Sequence, residues 1–327
     1  MIGTMAELLS ARKFTVELPT PSGWIRPVND VSLRIAKGES LGLVGESGSG
    51  KTMFSLALMG LLPTGARVNG EAILSAEGSS PNKNLAKLKG ADWRAVRGRE
   101  IAMVFQEPMT SLNPVMRIGA QIEEAIRSHE LGISGSVLHR RLLSSLTHAS
   151  VPEPEIRAKQ FPHQLSGGLR QRVMIAMALA GHPKLLIADE PTTALDVTVQ
   201  QQILGLLDQL RREMDLGLLF ITHDLGVVAN VAERIAVMYA GRIIEEGATR
   251  DVLTSPKHPY TQGLLAASPS LRHTKLSPIP GTVPELTALP PGCSFAPRCS
   301  FHRAQCDAAM PELRLSNQGQ SARCVLV

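Results

Sequence analysis

A glycine-rich segment at residues 45–52, with the sequence GESGSGKT, directly follows the apolar run Leu41–Val44. It fits the pattern G-x-x-x-x-G-K-S/T, in which small residues let backbone N–H groups close around a phosphate chain. Residues Thr52 to Leu62, before Pro63, are predicted to form a helix whose N-terminus faces the phosphates. A strand, a loop and a helix in this order predict an α/β fold that binds a nucleotide; a Gly/Ser-rich turn without a ligand is the alternative.

Two side chains of the segment add charge and a metal ligand. Lys51 can reach the β- and γ-phosphates, and the Thr52 hydroxyl can coordinate Mg²⁺. The predicted nucleotide-binding residues are Gly45, Glu46, Ser47, Gly48, Ser49, Gly50, Lys51 and Thr52.

A second apolar strand, Leu185–Ala188, ends in the acids Asp189 and Glu190. A strand that runs into the site can present Asp189 to Mg²⁺. Glu190, one residue further, would lie where an attacking water needs a general base. Two acids that only end a strand are the alternative, which the phosphate loop makes less favourable.

Residues 165–171, with the sequence LSGGLRQ, form a second small-residue turn that opens a helix. Its N–H groups, the helix dipole and the Ser166 hydroxyl make an anion site, although a plain helix N-cap is the alternative. Two phosphate-type sites in one chain indicate that the second serves a partner's nucleotide.

The order of elements predicts two parts, residues 1–267 and 268–327. Alternating strands and helices favour a mostly parallel sheet covered on both faces. β-like alternation occupies residues 12–44, and a helical, polar stretch at about residues 110–180 predicts an inserted helical subdomain. Seven prolines between Pro269 and Pro297 indicate a linker that leads to a small C-terminal module.

Composition argues against two classes of protein. The net charge of +5 is spread along the chain and aromatic residues make up only 3%, so nucleic acid is not an expected partner. No apolar run approaches the length of a membrane span, and residues 1–12 lack the pattern of a signal peptide. We therefore expect a cytosolic protein, which a partner can bind to a membrane.

The four cysteines, all near the C-terminus, have the spacing C-x₅-C-x₆-C-x₁₇-C. In a reducing compartment this clustering favours a metal over disulfides. Four thiolates could hold Zn²⁺ or a 4Fe–4S cluster. The absence of tight C-x₂₋₄-C pairs counts against zinc, and four free or buried thiols are a third alternative. The candidate ligands are Cys293, Cys299, Cys306 and Cys324.

In their order, the motifs resemble the ATP-binding subunits of ABC transporters. The phosphate loop is followed by Gln106 after a strand, then by LSGG at residues 165–168, then by Asp189-Glu190, Asp196 and His223. The resemblance implies the ABC-type ATPase fold, with an antiparallel β subdomain and the inserted helical subdomain. It also implies ATP hydrolysis with Mg²⁺.

The resemblance also implies roles for individual residues. Lys51, Glu190 and His223 would be catalytic, with His223 on the γ-phosphate and the water. Gln106 would sense Mg²⁺ and the γ-phosphate and couple them to the helical subdomain. Asp196 would lie at the dimer interface. The signature residues that would face the ATP of a partner subunit are Ser166, Gly167, Gly168 and Gln171.

Three further segments resemble the dipeptide and oligopeptide importer branch. They are residues 106–114 (QEPMTSLNP), 258–261 (HPYT) and 291–299 (PGCSFAPRC). Leu169 stands where many relatives carry Gln, and a hydrophobic residue at this position also resembles this branch.

The adenine-stacking position of the family aligns with Leu18, with Trp24 nearby in a predicted loop; which of the two stacks on adenine is left open.

This branch implies an ATPase that powers peptide import from the cytoplasmic face of the bacterial inner membrane. The implied partners are a second ATPase subunit in a heterodimer, two transmembrane permease subunits and an extracytoplasmic solute-binding protein. The implied group on the cysteines is a 4Fe–4S cluster, with Zn²⁺ as the alternative. The alternative functions are import of nickel chelates or another small solute, and a non-transport ABC ATPase in a soluble complex.

Overall fold

The computed structural model describes residues 6–76, 81–107, 111–130, 132–193, 195–268, 277–316 and 319–327. The strands are β1 Glu7–Thr20, β2 Gly23–Ala36, β3 Ser40–Val44, β4 Arg67–Leu74, β5 Lys83–Asn84, β6 Ile101–Val104, β7 Leu185–Asp189, β8 Gly217–Thr222, β9 Arg234–Tyr239, β10 Arg242–Ala248, β11 Arg314–Leu315 and β12 Ser321–Ala322. The α-helices are α1 Lys51–Leu58, α2 Ala91–Val96, α3 Ile118–Arg127, α4 Gly135–His148, α5 Pro154–Arg157, α6 Gly167–Leu179, α7 Val197–Met214, α8 Leu225–Val228, α9 Thr249–Thr254, α10 Pro259–Ala267 and α11 Gln305–Ala308.

The chain divides into two compact units. Unit 1 comprises Met1–Ala36, Ser40–Leu88 and Phe220–Val327. Unit 2 comprises Lys37–Glu39 and Lys89–Leu219. Residues 268–327 and the phosphate loop both belong to unit 1.

An antiparallel sheet in unit 1 has the strand order β2-β1-β4-β5. Its long hairpin runs from the pair Glu7↔Ala36 to the pair Thr20↔Gly23, so that Pro21 and Ser22 form the turn. Trp24 therefore lies in β2, opposite Pro19, and not in a loop as predicted. The hairpin packs on α1 through an edge-to-face contact of Phe14 and Phe54, with 5.8 Å between ring centroids.

A second group of strands in unit 1 carries the phosphate loop and the C-terminus. β3 is buried throughout, as expected for a strand covered on both faces, and it pairs in parallel with β9. β10 pairs antiparallel with β9 on one side and with β12 on the other. This last pairing joins the C-terminal residues to the sheet that holds the phosphate loop.

The helix after the phosphate loop is shorter than predicted. It ends at Leu58 instead of Leu62, because Gly60 takes a left-handed conformation with φ of 61°. The Leu61 N–H donates to the Leu56 carbonyl (2.8 Å) and the Gly60 N–H to the Ala57 carbonyl (3.1 Å). This pattern satisfies the last carbonyls of a helix, so the glycine ends the helix before Pro63 is reached.

Unit 2 combines a parallel strand pair with helices. β6 and β7 pair in parallel from Ile101↔Leu185 to Val104↔Ala188. The described helices between Ile118 and Leu179 lie in the stretch predicted to be helical. In α4, Leu138, Leu142 and Leu146 recur every four residues and are all buried, which gives this helix its apolar face.

The longest helix in the described ranges, α7, has 18 residues. It buries Ile203, Leu206, Leu207 and Leu210 at helical spacing, which gives the helix an apolar face. Over the part of the chain that the structure describes, no helix has both the length and the apolar character that crossing a membrane requires.

Candidate functional site

Glycines shape the phosphate loop between β3 and α1. Gly48 and Gly50 have positive φ angles of 79° and 106°, which other residues adopt only with strain. A Cβ on Gly50 would lie 2.0 Å from the Pro27 carbonyl oxygen, and one on Gly45 would lie 2.2 Å from that of Met238. The loop can therefore close only with glycine at these positions.

Lys51 turns its ammonium group into this loop. Its Nζ donates to the carbonyl oxygens of Gly45 (2.7 Å) and Glu46 (3.0 Å), and it lies 3.3 Å from the Ser49 Oγ. Lys51 is buried, whereas the neighbouring Thr52 is exposed at the start of α1. The arrangement places one positive charge inside the phosphate loop, where it can interact with a phosphate chain.

The two acids after β7 differ in their surroundings. Asp189 is buried at the end of the strand, and Glu190 follows with a φ of 47°. The Glu190 Oε2 accepts hydrogen bonds from the Gln106 Nε2 (3.2 Å) and from the Thr193 hydroxyl (3.0 Å). The left-handed backbone of a non-glycine residue is costly and is typical of functional sites. Glu190 is therefore held in place by its neighbours in unit 2.

The contact between Gln106 and Glu190 follows from the topology. β6 and β7 are parallel neighbours, so residues that follow them emerge at the same edge of the sheet. Thr193 is a site residue that the sequence reasoning missed; its position three residues after Glu190, in a turn, was the available signal. The predicted importer-type loop continues through residues 108–110, which lie outside the described residues.

The Gln106 segment, residues 106–114, is hydrogen-bonded at Asn113 to a helix of unit 2. The Gln121 side chain in α3 accepts from the Asn113 N–H (2.9 Å) and donates to the carbonyl oxygens of Asn113 and Met116 (both 3.0 Å). Gln121 is buried, so these hydrogen bonds are shielded from water. A displacement at residue 113 would therefore be transmitted to α3.

The LSGG segment caps α6. Ser166 is the N-cap, and its hydroxyl accepts from the Leu169 N–H at 3.4 Å. Ser166 and Gly167 are exposed, and a Cβ on Gly168 would lie 2.7 Å from the Val199 Cγ1. Gln171 differs, because it is only 1% exposed and its Nε2 has no hydrogen-bond partner among the residues that the structure describes. Its side chain thus lies inside unit 2, away from the exposed start of the helix.

Asp196 and His223 follow different elements. Asp196 is exposed and caps α7, where its Oδ1 accepts from the Val199 N–H at 2.9 Å. His223 is exposed after β8, and Asp224 next to it caps α8 through the Gly226 N–H at 2.7 Å. Asp196 therefore has a structural role in unit 2, in addition to any role at an interface. Ala194, two residues before Asp196, lies outside the described residues.

The two candidates for adenine stacking differ in the exposure of their side chains. Trp24 is 44% exposed, and the Arg67 guanidinium lies 3.9 Å from its ring centroid. One face of the indole is thus covered by a cation. Leu18 is half-buried, opposite Ile25 in the hairpin.

The four cysteines line one cavity together with apolar side chains, among them Phe295, Phe301 and Leu326. Backbone N–H groups two residues further along, at Phe295, Phe301 and Leu326, donate to Cys293, Cys299 and Cys324 respectively. Burial raises the pKa of each of these three thiols. Across the described ranges, no three or more Cys, His, Asp or Glu side chains are already gathered as metal ligands. The cavity nevertheless brings together four thiol groups, a donor type that soft metals prefer.

Beside this cavity, His258 is buried at the start of α10. Its Nδ1 accepts from the Tyr260 N–H at 3.0 Å, and burial lowers the pKa of the imidazole to about 3. The ring is therefore neutral in the folded protein at pH values where the unfolded chain, with a His pKa of about 6.5, is protonated. Above about pH 6.5 the imidazole is neutral in both states, so it does not make the free energy of unfolding depend on pH. As the pH falls below about 6.5, the unfolded chain takes up a proton that the folded protein does not, and the free energy of unfolding decreases.

We expect the His258→Asn variant to lose less stability on acidification than the wild type. Asn keeps the N-cap but does not titrate. Between pH 7.5 and pH 5 the wild type should lose about 2 kcal/mol more than the variant. Denaturant titrations followed by circular dichroism at the two pH values measure this; an equal loss in both proteins would contradict the assignment.

Comparisons with known proteins agree with these features. Residues 28–193 match the family described as ABC transporter, and residues 244–306 match the oligopeptide/dipeptide transporter C-terminal region. A dipeptide transport ATP-binding protein of Bacillus subtilis is 45% identical over 325 residues, covering 98% of this chain and 95% of that protein. A putative peptide import ATP-binding protein of Brucella ovis is 50% identical over 308 residues, covering 91% and 90%. A solved dimeric ATP-binding cassette with ADP and Pi bound has a TM-score of 0.64 and 31% identity, covering 74% of this chain and 99% of that one.

Proposed function

The chain belongs to the ABC transporter family of ATP-binding proteins, and we propose that it is the ATP-hydrolysing subunit of an importer that carries peptides across the bacterial inner membrane. The observation that carries the choice of peptides is the match of residues 244–306 to the oligopeptide/dipeptide transporter C-terminal region. The two relatives described above, a dipeptide transport protein and a peptide import protein, support it.

In the proposed reaction, the phosphate loop binds ATP and the acids after β7 act on the water. Lys51 and the loop N–H groups neutralise the β- and γ-phosphates. The Thr52 hydroxyl, the Gln106 amide and the Asp189 carboxylate are oxygen donors of the kind that Mg²⁺ prefers, and they would hold this ion. Glu190 takes a proton from the attacking water, and His223 orients that water against the γ-phosphate.

The proposed site is completed by a second ATPase subunit. The start of α6, where Ser166 and Gly167 are exposed and Gly168 is half-buried, faces the ATP held by the partner's phosphate loop, and Asp196 lies at the interface. The hydrogen bonds of Gln121 link the Gln106 segment to α3, which supports transmission of ATP-driven closure to the helices. In our proposal the partner ATPase is a different chain, and the pair works at the cytoplasmic face with two permease subunits and an extracytoplasmic solute-binding protein.

Purification of the intact complex with its solute-binding protein tests the assembly and the cargo together. We expect two multi-spanning membrane proteins and a second ATPase in the complex, and di- or oligopeptides as the ligand found by mass spectrometry. A nickel chelate or another small solute as the ligand would overturn the assignment of peptides. Purification with soluble partners alone would overturn the assignment of an importer.

We further propose that the four cysteines hold a 4Fe–4S cluster. The support is a set of four soft thiolate donors around one apolar cavity, with backbone N–H donors to three of them. Bound there, the group would cross-link a proline-rich region that has little apolar core of its own. The residues that would hold it are Cys293, Cys299, Cys306 and Cys324.

Anaerobic purification followed by iron and sulfide analysis tests this second proposal. We expect about four of each per chain in the wild type, from the composition of the cluster, and a large loss in Cys299→Ser. The variant Ser300→Ala, which changes an exposed neighbour, should keep the wild-type content. Stoichiometric zinc without iron or sulfide would contradict the cluster.

A further inference from the structure

An arginine of the cysteine-bearing region forms an ion pair with the phosphate loop. Arg298 directly precedes Cys299, and its side chain is only 4% exposed. Its Nη1 donates to the Glu46 Oε2 at 2.7 Å and its Nη2 to the Glu46 Oε1 at 3.0 Å. The Arg298 Nε donates to the Pro280 carbonyl oxygen at 2.9 Å, which fixes the plane of the guanidinium. Such a two-pronged contact is the strong form of an arginine–carboxylate pair.

The backbone of Glu46 is held at a second point. The Glu46 N–H donates to the Tyr260 hydroxyl at 2.8 Å, and the Tyr260 side chain is completely buried. Tyr260 belongs to α10, which lies between the ATPase sheet and the cysteines in sequence. Two independent contacts, one to the side chain and one to the backbone, thus fix the position of Glu46.

Both contacts involve one cluster of aromatic rings, because Tyr260 belongs to it and the Arg298 Nη1 donates to the Tyr239 hydroxyl at 3.4 Å. The Tyr239 and Tyr260 ring centroids are 4.5 Å apart, and Phe295 lies 5.3 Å from Tyr239 and 5.4 Å from Tyr260. All three rings are buried. Phe295 also supplies the backbone N–H that donates to Cys293. The cluster therefore connects the cysteine cavity to the two groups that hold Glu46.

Glu46 in turn holds the parts of the loop that meet phosphate. Its carbonyl oxygen accepts from the Lys51 Nζ at 3.0 Å and from the Ser49 N–H at 3.2 Å. A shift of Glu46 would therefore move the Lys51 charge and the backbone of the loop.

We infer that Arg298 is a positioning residue for ATP binding: through Glu46 it holds Lys51 and the phosphate loop in the arrangement that receives the phosphates. The cysteine-bearing region then contributes directly to ATP affinity, beyond any contribution to the stability of the C-terminus. The inference rests on ATP binding at this loop and is independent of the transported solute.

The Arg298→Gln variant tests this inference. We expect the dissociation constant and the KM for ATP to rise roughly tenfold, with kcat at saturating ATP changed by less than about twofold. Arg298→Lys should recover part of the affinity, because it keeps the charge but loses the paired geometry. Arg303→Gln, at an exposed arginine of the same region, is the matched control and should bind ATP like the wild type.

A double-mutant cycle with Glu46→Gln separates positioning from general destabilisation. The double variant should have the same ATP affinity as the single variant with the lower affinity, because both changes remove the same contact. Tyr260→Phe removes the hydroxyl that accepts from the Glu46 N–H, and it should weaken ATP binding about threefold. Tyr260→Phe and Arg298→Lys together still test the inference if Arg298→Gln does not fold.

Wild-type ATP affinity in Arg298→Lys and Tyr260→Phe, with only a lower melting temperature, would overturn the inference. So would additive effects in the cycle. The binding is measured by titration of a fluorescent ATP analogue into the purified full-length chain. A failure of peptide import would not change this readout, so the two proposals are tested separately.

Discussion

A Glu190→Gln subunit is expected to bind ATP and to hydrolyse it about 10² to 10⁴ times more slowly than the wild type in the assembled complex. The amide has the shape of the carboxylate and can still accept the hydrogen bond of Thr193, but it cannot take a proton from water. Because ATP persists, the variant should stay in the ATP-bound, closed dimer. Phosphate release under single-turnover conditions measures the hydrolysis step directly.

The matched control for this prediction is Glu155→Gln. Glu155 is an exposed carboxylate of the same unit, and its removal makes the same change in net charge. It should hydrolyse ATP at the wild-type rate. Hydrolysis by Glu190→Gln at the wild-type rate would show that Glu190 is not the general base.

Replacement of Lys51 by Met should weaken ATP binding by roughly one to two orders of magnitude, which is the value of a hydrogen bond to a charged partner. Met has a similar length but no charge, and it removes the hydrogen bonds that the Lys51 ammonium donates to the carbonyl oxygens of Gly45 and Glu46. Isothermal titration with Mg-ATP measures the loss.

The control for this second prediction is Lys87→Met, at an exposed lysine of the same unit. This variant should titrate like the wild type. Equal ATP affinity in Lys51→Met and the wild type would mean that the ammonium group does not contact the phosphates.

Local motifs made much of the nucleotide site predictable. The glycines of the phosphate loop are required by positive φ angles and by close backbone approach, so the sequence pattern and the geometry carry the same information. The strand that ends at Asp189 was predictable for a similar reason, because an unbroken apolar run implies burial on both faces.

Contacts between distant residues were not predictable. Arg298 and Glu46 are 252 residues apart, and no local pattern pairs them. The pairing of β12 with β10 likewise joins residues that are far apart along the chain. Trp24 is predicted to lie in a loop because turn-forming residues precede it directly, although the 14-residue strand β2 already begins at Gly23.

Peptide uptake into proteoliposomes tests the central claim most directly. The complex that contains this chain is reconstituted with its solute-binding protein outside and ATP inside, and a mixture of short peptides is supplied. We predict ATP-dependent accumulation of peptides, reduced at least about tenfold when this subunit carries Glu190→Gln. ATP hydrolysis without accumulation of any peptide, or equal accumulation with the Glu190→Gln subunit, would contradict the account.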